Sequence, residues 1–314
     1  MADRLIIRRA TLQDYRGVMD IGEIYQGRDY LPVMYEKYLK VFNCRVAEKN
    51  GEIVGFNGER LVDGGMTLCR AAARVKENYQ GQGLLAAILK DVYDFYQDKK
   101  SVKYEAIAIS NVSMEVNGDK IKRRFTQILQ RVCVEMTAEI GYFKPNKIES
   151  DQTKVQELTS EDLMEIFQSK EMCSKLFPGE RIVPNCYPYR LLPENIPLMM
   201  DGCQFWGTKS SDQSTYTTLT VTEHFNLGER LMFKLCMYGS DAVDIQQHCL
   251  KHIHNLNILV KSGTYTSIMI HITYSLDCQE TGTFLSDFEK CGLNFNDEFP
   301  VTRMFLFERV IRSN

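Results

Sequence analysis

Residues 80–83 read QGQG, so Gly81 and Gly83 stand one residue apart. Before them runs a strand pattern, TLCRAAARV (67–75). After them comes an alanine- and leucine-rich helix pattern in which Leu85, Ile88, Leu89, Val92 and Phe95 share one face. A helix start carries unpaired backbone N–H groups and the positive end of the helix dipole. Glycines there allow a sharp turn and let a phosphate approach the backbone. Gln80, Gly81, Gln82, Gly83 and Leu84 therefore read as a pyrophosphate cradle, with an ordinary glycine-containing turn as the alternative. A dinucleotide-binding fold sets its glycines near the start of a parallel βαβ unit. Here they follow a hairpin and a further strand, about 80 residues into the chain. That order points to a different α/β (α+β) architecture.

The chain has 314 residues, 44% of them hydrophobic, which gives ample core for two domains. A net charge of −3 argues against general nucleic-acid binding. Ten cysteines are scattered with no CxxC spacing, which signals neither a zinc ribbon nor a thioredoxin-type site. Free thiols in a reducing, cytoplasmic compartment are expected. The first 15 residues are too charged for a signal peptide, and no apolar run nears the roughly 20 residues that cross a bilayer. The pattern says nothing about oligomeric state.

Along the chain, LIIRRA is a short strand, followed by helical segments with Thr11 as N-cap. A hairpin turns at Asn50-Gly51. The strand 67–75, the glycine turn, a helix, the strand YEAIAI and the strand QRVCVEMTA complete the first half. The polar stretch 144–154 is the linker candidate, giving domains 1–145 and 155–314. The second half runs helices at 159–176, three strands, a helix, a strand, a helix and a final strand. The order repeats that of the first half and suggests a structural duplication. Where the first half has its paired glycines, the second has MYGSDAV, so one half alone is equipped for phosphates.

The strand order and the segment Gln80-Gly81-Gln82-Gly83-Leu84-Leu85 resemble the GNAT acetyltransferases, whose acetyl-CoA loop is Q/R-x-x-G-x-G/A. Leu85 stands where that pattern has a small residue. IYQGRDYLPVMYEKYL (24–39), LFPGERIVPNCYPYRLLPENIPLM (176–199) and MYGSDAVDIQQHCLKHI (237–253) are similar to the vertebrate histidine N-acetyltransferase family. The resemblance is colinear over most of the chain. It implies a GNAT domain at 1–145, a degenerate GNAT-like domain at 155–314 and acetyl-CoA as donor. The implied acceptor is a free amino acid, with histidine among the candidates. By the same resemblance the backbone of Ala73, Arg74 and Val75 contacts the thioester and pantetheine. Tyr25, Asp29 and Tyr30 serve the acceptor. A substrate carboxylate suits an arginine, for which Arg28 and Arg190, beside Tyr189, are candidates.

Two positions depart from the family. Ala71 stands where it carries a glutamate, and Phe125 where a tyrosine commonly protonates the CoA thiolate. The polar groups left as catalytic candidates are Glu59, Ser110 and Asn111. A solvated strand position and helix capping are their respective alternatives. Three functions stay open: an amino-acid N-acetyltransferase, an acyl-CoA-binding scaffold without turnover, and an acetyltransferase of protein N-termini or lysines, which would need an open groove. His248 and His252 lie one helical turn apart, a spacing that zinc sites use. There is no HExxH-type acid, and no metal is expected. The basic cluster DKIKRR (119–124) reads as a solvated face, with a CoA phosphate as the alternative.

Overall fold

The computed structural model describes residues 5–22, 29–145, 154–239, 241–275, 281–295 and 301–311. The chain divides into two compact units. Unit 1 is Met1–Ile107 with Arg309–Asn314, and unit 2 is Ala108–Glu308.

Unit 1 opens with β1 (Leu5–Arg9), followed by α1 (Tyr15–Met19) and α2 (Leu31–Val41). Then come β2 (Asn43–Lys49), β3 (Glu52–Val62), β4 (Thr67–Val75), α3 (Leu84–Tyr96) and the start of β5 (Tyr104–Ser110). Strands β1 to β4 pair antiparallel in sequence order, and β4 pairs parallel with β5. The β2–β3 hairpin turns where expected: Asn50 and Gly51 both have positive φ, 54° and 84°. Helix α3 makes the crossover. It buries Leu84, Ile88, Val92 and Tyr96, a strict four-residue row, against Ala47, Val54, Leu68 and Val102. Each of these aliphatic side chains contributes about 1.5–3 kcal/mol by burial. The expected face containing Leu85, Leu89 and Phe95 is rotated. Phe95 is exposed, with Arg45 and Lys99 over its ring. Thr11 is the N-cap as expected and forms a capping box with Asp14, which also holds Arg8.

Unit 2 begins with the end of β5, α4 (Asn111–Lys122) and β6 (Thr126–Glu139). It continues with β7 (Gln156–Glu157), α5 (Ser160–Gln168), α6 (Lys170–Leu176), the short pair β8 (Arg181–Ile182) and β9 (Tyr189–Arg190), and α7 (Ile196–Met200). After β10 (Gln204–Lys209), β11 (Tyr216–Leu227) and β12 (Arg230–Tyr238) come α8 (Ala242–Ser262), β13 (Ser267–Ser275), α9 (Thr281–Lys290), β14 (Asn294–Phe295) and β15 (Thr302–Val310). Its core lies between the sheet and α8 with α9: Val134, Phe233, Ile253, Leu256, Ile270 and Phe288 are among the buried members.

With β8, β9, α7 and β14 set aside, the order β7–α5–α6–β10–β11–β12–α8–β13–α9–β15 parallels β1–α1–α2–β2–β3–β4–α3–β5–α4–β6. We keep 1–145 and 155–314 as the proposed halves of that repeat. The compact units cut the chain elsewhere because each draws strand material from the other half. Strand β6 lies in unit 2, antiparallel to β13 and to residues 302–308 of β15. The end of β15 lies in unit 1, where Ile311 N–H donates to Lys103 O at 2.8 Å.

Candidate functional site

Strands β4 and β5 are parallel neighbours for only three pairs, Thr67–Tyr104, Leu68–Glu105 and Cys69–Ala106. Beyond Cys69, β4 continues for six residues with no strand partner on that edge among the described residues, so a gap opens along residues 70–75. A β-bulge sits in this free stretch. Ala72 and Ala73 together oppose the single residue Asn57 of β3, and Ala72 is left-handed at φ 52°. A non-glycine residue held there costs of order 1–3 kcal/mol, the kind of strain that collects at binding and active sites. Ala73 is exposed beside it.

The gap leads to the glycine loop. Gly81 and Gly83 have φ of 74° and 78°, conformations that L side chains rarely adopt. A Cβ added at either would meet nothing within 4 Å, so the space over both is open. Gly83 is the N-cap of α3, and the first bond of that helix is Ala87 N–H to Gly83 O at 3.0 Å. The N–H groups of residues 81–86 donate to no backbone acceptor among the described residues. The first turn of α3 holds no acidic side chain. Gln80 and Gln82 fold back on the loop, donating to Val75 O at 3.2 Å and Asn78 O at 3.0 Å. The result is an exposed, positively polarised helix start that can take an anion.

The expected acceptor residues are placed in part. Tyr25 and Arg28 lie outside the described residues. Asp29 forms a two-point ion pair with Arg74, at 2.7 and 3.1 Å, and accepts Leu31 N–H at 3.0 Å. Its carboxylate therefore fixes the start of α2 to β4. The Arg74 side chain is buried on Asp29, so only its backbone lies along the gap. Tyr30 packs on Tyr38 and accepts its hydroxyl at 3.2 Å. In unit 2, Arg190 and Arg181 both hold Glu308, and Tyr189 is buried against Tyr187. Arg190 is thus part of a two-arginine, one-carboxylate cluster. Ser110 caps α4 through Ser113 N–H at 3.5 Å, and Asn111 donates to Glu115 at 2.9 Å. These local contacts are the capping roles named as their alternative. Phe125 is buried.

Glu59 corrects the sequence reading most directly. It is not a solvated strand residue, and it is poorly suited as an ionised base. It is fully buried on the face of β3 that α3 covers. Asn57 donates to Oε2 at 2.9 Å, while Oε1 has no hydrogen-bond partner. Burial pushes its carboxyl up to about 8, against the pull of Arg45 and the Asn57 amide. Arg45 itself is held by Asp91 of α3 at 2.7 Å. At neutral pH Glu59 is mostly protonated. The α2 face of β3 differs: Phe56 packs on Tyr35, and a Cβ on Gly58 would meet Tyr38 and Cys44.

Unit 2 shows the equivalent place closed. Strands β12 and β13 stay paired for seven residues, from Arg230–Ser267 to Cys236–Thr273. Where a gap would begin, Arg131 of β6 inserts. It is buried, donates to Met237 O at 2.7 Å and Thr273 O at 3.2 Å, and lies 4.4 Å from the Tyr238 ring. A Cβ on Gly239 would sit 2.5 Å from Thr217 O. The α8 start is capped by its own carboxylate, Asp241, which accepts Asp244 N–H at 2.9 Å. His248 and His252 are buried and joined through Thr220, at 2.8 and 2.7 Å, with Thr208 on His248 at 3.0 Å. Burial lowers His248 to about 3 and His252 well below its ordinary value, so they are neutral core groups. Among the described residues no group of three or more His, Cys, Asp or Glu could hold a metal ion, and nine cysteines are free. No helix among them is long and apolar enough to cross a membrane.

Sequence reasoning missed the Ala72 bulge, the Arg131 insertion and a cluster in which half-buried Arg70, Tyr93 and Arg309 surround buried Glu105. None leaves a motif, because each depends on cross-strand register. The one available signal was a charged residue, Glu105 or Arg131, inside an otherwise apolar strand pattern.

With this geometry in view, similarity to known proteins is informative. Residues 150–273 match the family "Histidine N-acetyltransferase, C-terminal". A histidine N-acetyltransferase of Oreochromis niloticus is 21% identical over 276 residues, covering 80% of each chain. One of Xenopus tropicalis is 23% identical over 255 residues, covering 78% of this chain and 79% of its own. The solved tandem GNAT protein of the clavulanic acid biosynthesis pathway superposes with a TM-score of 0.58 at 10% identity, covering 99% of this chain and 100% of its own. The chain has the GNAT fold and is similar in sequence to the histidine N-acetyltransferases.

Proposed function

We propose that the chain transfers the acetyl group of acetyl-CoA to the α-amino group of a free amino acid. Histidine is the first acceptor to test, since the relatives carry that name. The observation that supports this best is the β4–β5 gap running into two left-handed glycines at an open helix start. The N–H groups of Gly81–Ala86 and the α3 dipole would hold the pyrophosphate. The free edge of β4, including Ala73, Arg74 and Val75, would hydrogen-bond the pantetheine amides as an added strand does. The acetyl thioester then lies against the bulge at Ala72. The amine attacks the thioester carbonyl, CoA thiolate leaves, and the ammonium proton passes to water. An α-ammonium titrates near pH 8, so no strong protein base is required. Protonated Glu59 suits this route better than a carboxylate-base route. Asp29 acts by setting the start of α2, and Tyr30 faces Tyr38 beside it. We place the reaction in the cytoplasm, with one acetyl-CoA per chain, no metal and no nucleic-acid partner.

The test is CoA release from acetyl-CoA against a panel of free amino acids. The second reading, an acyl-CoA-binding scaffold without turnover, is favoured by one feature. Ala71 stands where the family carries a glutamate, and Glu59 on the neighbouring strand is held mostly protonated. Calorimetric binding of acetyl-CoA with no release on any amino acid would establish that reading instead.

A further inference from the structure

We infer that Arg309, at the far end of the chain, is a positioning residue for the acyl-CoA groove of unit 1. This rests on reading the β4–β5 gap as that groove. The argument starts at Glu105. It lies on β5 opposite Leu68, one pair before the strands part, and is fully buried. Arg70, the first β4 residue beyond the last pair, places its Nε 2.8 Å from Glu105 Oε1. Arg309 Nε donates to Glu105 Oε2 at 2.6 Å, and its Nη2 donates to the Tyr93 hydroxyl at 2.7 Å. That hydroxyl lies 2.9 Å from each Glu105 oxygen. The guanidinium also stands 5.5 Å from the Tyr93 ring.

Glu105 thus ties three parts together at the point where the gap opens, and Arg309 holds both Glu105 and Tyr93. Glu105 fixes β5, Arg70 fixes β4, and Tyr93 belongs to α3, whose start is the anion cradle. Arg309 is the only one of the four contributed from the C-terminal end of the chain, and Ile311 locks that end on Lys103. Without Arg309, Glu105 keeps Arg70 and the Tyr93 hydroxyl, so the carboxylate is not stranded. What is lost is the second tie between β5 and α3. Helix α3, with the cradle at its start, can then shift against β5. A displacement of about 1 Å in a positioned site costs up to ~100-fold in rate.

The experiment uses the full chain and measures acetyl-CoA affinity by calorimetry, with kcat and both KM values. Arg309→Ala should weaken acetyl-CoA binding and raise its KM by about tenfold or more, while the KM of the acceptor moves less than about threefold. Arg309→Lys, which keeps a cation on Glu105, should recover most of that loss. Tyr93→Phe removes only the hydroxyl bridge and should weaken binding by a few fold, which covers the case where Arg309→Ala does not fold. Unaltered acetyl-CoA affinity in both Arg309→Ala and Tyr93→Phe overturns the inference alone. An equal loss for donor and acceptor, with no rescue by lysine, also overturns it by marking a general fold defect. A wild-type chain that binds no acetyl-CoA defeats the functional reading, and this inference falls with it.

Discussion

Replacing Glu59 by glutamine should make the protein more stable in alkali, not less. The side chain is buried beneath α3 with Oε1 unpartnered, and its carboxyl is raised from 4.5 to about 8. Below pH 4.5 both folded and unfolded chains carry the proton, and Glu59 imposes no penalty. Between pH 4.5 and about 8 the unfolded chain releases it while the folded one retains it. Stability then falls by up to about 1.4 kcal/mol per pH unit. Above pH 8 both are ionised, and the full loss, at most ~5 kcal/mol, is present. Relaxation around the charge and the field of Arg45 reduce this to roughly 2–3 kcal/mol. Glutamine keeps the bond from Asn57 and never ionises, but leaves an amide N–H group facing the unpartnered side, at about 1 kcal/mol. Glu59→Gln should therefore melt slightly below wild type at pH 5 and several degrees above it at pH 8.5. Thermal melts at pH 5, 7 and 8.5 give the crossing. Parallel curves for the two proteins would refute the argument. Turnover measured alongside should change less than about tenfold; a loss of a hundredfold or more, the lower range for removing a general base, would make Glu59 the base after all.

Gly83→Val places a branched side chain in the open space over the loop at a φ of 78°, and should weaken acetyl-CoA by at least about tenfold, read by calorimetry. The same titration of wild type should give one site per chain, and two sites would contradict the closure seen at Gly239 and Asp241. A fragment ending at Glu149 should be insoluble or inactive, because it lacks residues 309–311 and leaves β6 without β13 and β15; soluble, fully active fragment would oppose this. For His248, lowered to about 3, the sign is the reverse of Glu59: stability is full above about pH 6.5 and is lost as the pH falls toward 3. His248→Asn should flatten that acid limb in a pH series of thermal melts, at some cost in stability at pH 7.

Local grammar made much of the fold legible. The Asn50-Gly51 hairpin, the Thr11 cap and the glycine turn all depend on neighbours in sequence, and all are present. The α3 face was misjudged by one residue because Leu and Phe sit on both sides of that helix. Tyr96, not Phe95, completes the buried row. The site was legible only at its phosphate end. Its other end is made by register: a gap that opens after Cys69, a bulge opposite Asn57, and an arginine from residue 309. Strand register depends on long-range pairing, which no short window records. Glu59 looked like a solvated strand position because nothing in the sequence shows that α3 covers it.

The two halves treat the same backbone problem in opposite ways, and Arg131 tests why. In unit 1 the carbonyl and N–H groups along the β4–β5 gap stay open to a ligand. In unit 2 the strands stay paired, and at their ends Arg131 donates to Met237 O and Thr273 O and lies over Tyr238. An arginine in that place fills the gap with a polar group of the protein itself. Arg131→Met keeps most of the volume but leaves both carbonyls without their donor, at roughly 1–3 kcal/mol each where water cannot reach them. Removing the buried guanidinium offsets part of that cost, since a buried cation without a carboxylate is itself expensive. The expected outcome is a net loss of about 1–3 kcal/mol in stability, read by denaturant melts. Acetyl-CoA affinity and turnover should be unchanged, because the cradle and bulge lie in unit 1. A folded Arg131→Met protein that loses acetyl-CoA binding, or acquires a second site for it, would show that Arg131 does more than close the second half.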